Sequence, residues 1–229
     1  MDFSRFEALP LLGILRGVTA PMLAPLAEVV ASAGLRAVEI TMNTAGAAEK
    51  ISELSGNASR RFLVGAGTVL SRSNLDEALA AGAEFIVMPM LEREVVRRCV
   101  DLGVPVLPGA LTPQEVFEAA RAGATLIKLF PASVFGPRYF KELRGPFSDV
   151  RLLACGGVNT ANLDEYFTAG AVAAAVGGSI FRSDWLNAGE YPKIESALAA
   201  LVGECRRIMA RSCTDGEGAR RSSKPSRTQ

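Results

Sequence analysis

An α/β chain folded as a single (βα)8 barrel, a TIM barrel, is what the sequence predicts, and three observations predict it. Helix-like stretches repeatedly end in glycine and lead into apolar strands. The interval between those glycines is nearly constant, and the first strand-to-helix turn lacks the GxGxxG sequence of a dinucleotide-binding open sheet. A doubly wound open sheet is therefore the weaker alternative. Eight such units within 229 residues sit near the lower end for this architecture and leave no room for a second domain.

The first strand is "LLGILR", ahead of the first helix. Gly34 in "ASAGLRAVEI" opens the second unit, and Gly56 in "LSGNASRRFLVGAG" the third. Gly82 in "LAAGAEFIVMP", Gly103 in "VDLGVPVLPG" and Gly123 in "ARAGATLIKLFP" open the next three. Gly145 in "LRGPFSDVRLLACGG" and Gly170 in "FTAGAVAAAVGG" complete the set of seven junctions and eight strands. Each glycine suits the left-handed position just past a helix C-terminus, after which a strand can begin. Residues 1–211 are read as the barrel domain, with an amphipathic closing helix from about residue 190. Residues 212–229, "SCTDGEGARRSSKPSRTQ", have almost nothing to bury and are expected to be a disordered polar tail. Its Arg220, Arg221, Lys224 and Arg227 could meet an anionic partner, but a solvated tail accounts for them.

Composition narrows the function. With 49% hydrophobic residues and 25 basic against 24 acidic side chains, the chain reads as an ordinary globular protein with no nucleic-acid partner. No segment is long and apolar enough to suggest a membrane span, and the N-terminus lacks a secretory pattern, so a cytoplasmic location is expected. Cys99, Cys155, Cys205 and Cys213 share no short spacing and read as free thiols. Histidine is absent, which excludes Ser-His-Asp and Cys-His machinery and histidine-based metal sites. Acid and base work must fall to carboxylates, lysine or water.

Only three charged residues fall in the middle or late part of strands: Arg16, Glu39 and Lys128. Arg36, Glu84 and Arg151 stand at strand starts, the end of this fold that serves stability. Strand alternation puts Ala37, Glu39 and Thr41 on one face and Leu126, Lys128 and Phe130 on another, so the charges are expected to converge at the barrel mouth. A buried salt-bridge network would explain them too. Catalysis is the sharper reading, because substrates sit at the C-terminal ends of barrel strands. A lysine amine there can attack a carbonyl to form a Schiff base, with Glu39 supplying acid and base steps and Arg16 gripping a carboxylate. "ACGGVNTANL" and "AVGGSIF" follow strands seven and eight, where this fold holds phosphate on bare backbone N–H groups and a short helix expected to start at Ser179. "GAGTV" brings Thr68 close to the same mouth.

These motifs, "GILRG", "VEITMNT", "GAGTVL", "KLFPASVFGP", "GGVN" and "VGGSIF", resemble in order and spacing the family of 2-keto-3-deoxy-6-phosphogluconate (KDPG) and 2-keto-3-deoxy-6-phosphogalactonate (KDPGal) aldolases. The resemblance implies a class I aldolase that needs neither cofactor nor metal, usually a homotrimer. Lys128 then matches the Schiff-base lysine and Glu39 the general acid and base. Arg16 and Thr68 match groups at the substrate carboxylate, while Gly156, Gly157, Gly178 and Ser179 match the phosphate-binding turns. "GILRG", "FGPRYFKEL" and Asn43 look like the galactonate branch, and Thr41 like the gluconate branch. Cys155 replaces a threonine of the gluconate branch and leans galactonate, because a thiol is a weak donor that packs like a small hydrophobe. The expected reaction is cleavage of KDPGal to pyruvate and glyceraldehyde 3-phosphate. KDPG or 4-hydroxy-2-oxoglutarate cleavage is the alternative, and a non-catalytic phosphosugar-binding barrel a remote one.

Overall fold

The strands are almost wholly apolar, and a strand turns successive side chains alternately to opposite faces. The computed structural model describes residues 3–58 and 61–222, and in it that alternation sorts the core into two layers. Leu12, Ala37, Leu63, Phe85, Val87, Leu107, Leu126, Leu153, Cys155, Ala173 and Ala175 pack together inside the ring of strands. Their neighbours, such as Leu11, Val38, Val64, Ile86, Val106, Ile127, Leu152 and Ala174, pack outward against the helices.

The strands are β1 (Leu11–Leu15), β2 (Ala37–Thr41), β3 (Leu63–Gly67), β4 (Ile86–Val87), β5 (Val106–Leu107), β6 (Gly109–Ala110), β7 (Ile127–Leu129), β8 (Leu152–Cys155) and β9 (Ala173–Val176). All pairings are parallel, in the spatial order β5-β4-β3-β2-β1-β9-β8-β7-β6. The two ends of that order are consecutive in the chain. Pro108 has no N–H to give to a ladder and divides the expected fifth strand into β5 and β6. The segment still bridges both neighbours, since Leu107 O accepts from Met88 N at 3.1 Å and Pro108 O from Lys128 N at 2.9 Å. Nine short pieces thus make eight barrel strands, and the cylinder closes through the chain itself.

Helices alternate with these strands: α2 (Ala20–Ser32), α3 (Ala47–Ala58), α4 (Arg72–Ala80), α5 (Arg93–Asp101), α6 (Pro113–Arg121), α7 (Gly136–Arg144) and α8 (Leu163–Thr168). Five of the seven expected junction glycines are left-handed: Gly34, Gly82, Gly103, Gly123 and Gly170. At Gly34 the turn is a Schellman motif, with Gly34 N donating to Ala31 O and Leu35 N to Val30 O. Gly56 and Gly145 depart from the expectation. Gly56 lies inside α3, which continues to Ala58, and Gly145 caps α7 in the right-handed helical region at φ −56°. Both were placed by interval alone, and an interval does not specify a backbone conformation.

A short helix, α1 (Ser4–Ala8), closes the bottom of the barrel. Phe6 is buried with the interior layer, Phe3 stacks on it at 4.8 Å and approaches Phe85 at 5.9 Å, and Arg151 pairs with Glu7 at 2.9 Å. α9 (Ser183–Asn187) precedes α10 (Tyr191–Ser222), which packs on α2, α8 and α9. α10 runs past the boundary expected at residue 211, and residues 223–229 of the expected tail lie outside the described residues. No helix among the described residues is long and apolar enough to cross a membrane.

Candidate active site

Among the described residues four polar or charged side chains are buried, and all belong to strands β2 and β7 or the turn after β2: Glu39, Thr41, Thr44 and Lys128. Glu39 and Lys128 occupy inward positions, Glu39 two residues after Ala37 and Lys128 two after Leu126, so both head into the barrel above its apolar floor. Register ties Glu39 to Ile14 of β1 and Gly65 of β3, and Lys128 to Gly109 of β6 and Leu153 of β8.

Burial holds the Glu39 carboxyl above its ordinary value, a shift that the positive charges of Lys128 and Arg16 only partly oppose. Its Oε2 is buried with no hydrogen-bond partner. Among the described residues Lys128 forms no ion pair within 4.0 Å, Glu39 included. Its amine lies 5.3 Å from the Phe130 ring centroid, and its charge acts on the Cys155 thiol. Burial also raises the Cys155 thiol above its usual value. Cys99, Cys155 and Cys205 are free and buried, while the side chain of Cys213 lies outside the described residues.

A cavity of about 600 Å³ opens beside this pair, lined by Arg16, Phe130, Cys155, Gly156, Gly157, Gly178 and Ser179 among others. That volume suits a small ligand. Six of the ten sequence-predicted residues therefore line it. Lys128 and Glu39 are not among the lining residues and are buried, at 6% and 1% exposure; Cys155, whose thiol feels the charge of both, lines the cavity. Thr68 and Asn43 stand apart from the lining. Thr68 is half-buried and holds a left-handed backbone, φ 55°, which is costly for a β-branched residue and characteristic of functional turns. Asn43 is exposed in the turn after β2, where Thr44 Oγ1 accepts from Gly17 N at 3.0 Å and shares a hydrogen bond with Thr41 Oγ1 at 3.0 Å. That link clamps the backbone immediately after Arg16.

The glycine turns after β8 and β9 face each other. Ser179 Oγ donates to Val158 O at 2.8 Å and ties them together. Among the described residues the N–H groups of Gly157, Gly178 and Ser179 have no protein acceptor, a concave set of bare donors suited to an anion. Ser179 does not begin the short helix as expected. It sits in a turn in which Ile180 N and Phe181 N both donate to Gly177 O, and α9 begins at Ser183. Ile14, Phe181 and Ser183 also line the cavity and were not anticipated. Alternation from Leu12 would have pointed to Ile14, whereas no local signal marks Phe181 or Ser183.

Residues 4–197 match the family model described as aldolase, KDPG and KHG aldolase. The chain is 39% identical over 176 residues to the 2-dehydro-3-deoxy-6-phosphogalactonate aldolase of Escherichia coli, covering 76% of this chain and 86% of that protein. It is also 39% identical over 169 residues to the 2-dehydro-3-deoxy-phosphogluconate aldolase of Pseudomonas aeruginosa, covering 70% and 76% respectively. Among solved structures, the KDPG aldolase of Legionella pneumophila, with pyruvate captured as a covalent carbinolamine intermediate, superposes with a TM-score of 0.80 at 26% identity, over 86% of this chain and 96% of that one.

Proposed function

The chain belongs to the KDPG and KHG aldolase family, and from that membership we propose that it cleaves KDPGal to pyruvate and glyceraldehyde 3-phosphate. One observation carries the residue assignment: a lysine and a glutamate buried on the inner face of the barrel with no ion pair between them, in the same barrel interior whose Cys155 and Phe130 line a cavity. A structural salt bridge would have brought the two into contact.

Lys128 Nζ attacks the C2 carbonyl of the keto acid, and loss of water leaves a protonated imine. Glu39 accepts the C4 hydroxyl proton as the C3–C4 bond breaks. The bond's electrons move into the imine to form an enamine, and glyceraldehyde 3-phosphate departs. Glu39 returns the proton to C3, and water hydrolyses the imine to free pyruvate and Lys128. A carboxyl held above its ordinary value by burial suits a group that must both take and return a proton. Arg16 holds the substrate carboxylate with Thr68, and the donors of Gly156, Gly157, Gly178 and Ser179 hold its phosphate. No step calls on a metal or cofactor.

The galactonate epimer is favoured by Arg16, Asn43 and Cys155, while identity does not separate the branches, with a relative of each at 39%. Thr41, the residue that looks gluconate-like, is fully buried and engaged with Thr44, so it does not speak for that epimer. The family resemblance supports a cytoplasmic homotrimer, and the exposed apolar side chains Leu70, Met90, Val134 and Phe135 are ones a subunit contact would cover. Treatment with pyruvate and borohydride adds the reduced pyruvate mass at Lys128. An unmodified Lys128, or full activity in Lys128→Ala, ends this mechanism. Competition between the two C4-epimeric phosphosugars tests the substrate, and preference for the gluconate form overturns the galactonate assignment.

A further inference from the structure

We infer that Gly67 is a positioning residue for Glu39: the side chain missing at Gly67 is the seat in which the carboxylate lies. The inference rests on Glu39 being the proton-transferring group. Strand β3 turns Leu63, Gly65 and Gly67 inward, so beyond Leu63 its inner face carries no side chains. The neighbouring strands fill the space from either side. A Cβ at Gly65 would stand 2.4 Å from the Phe85 ring, and a Cβ at Gly67 would stand 2.3 Å from Glu39 Oε1, 2.6 Å from Cδ and 3.1 Å from Cγ. Small barrels pack their interiors by such pairing of large against small residues.

The contact with Glu39 differs from the one with Phe85 in what it leaves free. With one carboxylate oxygen and its carbon against bare β3 backbone, Oε2 is left buried and without a partner. It is the oxygen left to exchange a proton with substrate. The backbone cannot withdraw to admit a methyl group, because Gly67 is in register with Thr41 and its carbonyl accepts from Met42 N at 2.7 Å. Nor does Gly67 need to be glycine for its own conformation, since its φ lies outside the left-handed region. An alanine there is compatible with the strand, and its three nearest neighbours are all atoms of the Glu39 side chain, so Glu39 is what must move.

The test is kinetic and uses the full chain. Gly67→Ala keeps borohydride trapping of pyruvate at Lys128, while kcat and the exchange of pyruvate C3 hydrogens in D2O both fall by about 10²-fold, the worth of one acid–base group. KM changes little. Glu39→Asp, one methylene shorter, is slow in the parent chain, yet combined with Gly67→Ala it restores about tenfold over Gly67→Ala alone, a coupling expected of residues in contact. Parent-like kcat and C3 exchange in Gly67→Ala overturn the inference, as do losses that simply multiply in the double variant. Should Gly67→Ala fail to fold, a folded double variant supports the seat and an equally unfolded one refutes it. If the unsubstituted protein traps no pyruvate, the reaction falls rather than the seat. The position of Glu39 in a crystal of Gly67→Ala then decides the seat, with an unmoved side chain refuting it.

Discussion

The lower and upper halves of the barrel interior are lined by the same strands and obey the same alternation, yet they are built from opposite chemistry. Below, Phe6, Leu12, Ala37, Leu63 and Phe85 make a dry apolar plug with Phe3 stacked against it. Above, two residues further along β2 and β7, Glu39 and Lys128 are just as buried but carry ionisable groups with no ion pair between them. Ordinary packing explains the plug. The upper layer keeps a buried carboxyl at a disadvantage, which a stability argument alone would remove. The lower half therefore holds the fold together, and in the proposed mechanism the upper half gives up some of that stability for reactivity.

The sharpest way to break this contrast is to neutralise the upper layer. Glu39→Gln should still form the pyruvate imine but turn over about 10²–10⁴-fold more slowly, measured as steady-state kcat alongside borohydride trapping. Equal turnover would remove Glu39 from proton transfer. The lower layer should respond in the opposite sense. Phe6→Ala, which empties a fully buried ring site, should cost about 3–5 kcal/mol in denaturant unfolding while kcat of the folded protein stays at the parent value. A fall in kcat matching that of Glu39→Gln would show that the two halves are not separable.

Acid titration sharpens the comparison further. Burial raises the folded-state value of Glu39 above the 4.5 of an ordinary glutamate. At pH below the unfolded value both states hold the proton and the residue has no effect. As pH rises from there to the raised folded value, the unfolded chain releases a proton that the folded chain retains, so stability falls and stays lower beyond it. Glu39→Gln should thus melt at a higher temperature than the parent at pH 7, with the gap closing below about pH 4.5. A parent that gains stability over that rise relative to the variant would reverse the sign. The smallest effect belongs to the rim: Ser179→Ala loses the hydroxyl that ties the two glycine turns through Val158 O, worth about 1 kcal/mol. KM for the phosphorylated substrate should rise about fivefold by that energy, with kcat retained. An unchanged KM would detach Ser179 from phosphate binding.

Much of this was legible in the chain. The inward direction of Glu39 and Lys128 follows from counting two residues at a time from Ala37 and Leu126, and the left-handed turns at Gly34, Gly82, Gly103, Gly123 and Gly170 follow from a helix pattern meeting a strand pattern. Both signals are local. Gly56 and Gly145 show where local reading fails, because a regular interval can be kept by a chain that ends its helix in another way. The placement of Ser179 failed similarly, since a turn and a helix start use the same small polar residues.

By itself, then, the sequence determined the parallel barrel, the side of each strand that faces inward, and the residue types available there for chemistry, because backbone periodicity depends only on near neighbours in the chain. Tertiary structure alone decided that Lys128 and Glu39 stand unpaired, that Glu39 rests on the bare face at Gly67, and that Pro108 splits a strand where the cylinder closes. Those are distances between strands far apart in sequence, and they are set by how large and small side chains share one enclosed volume.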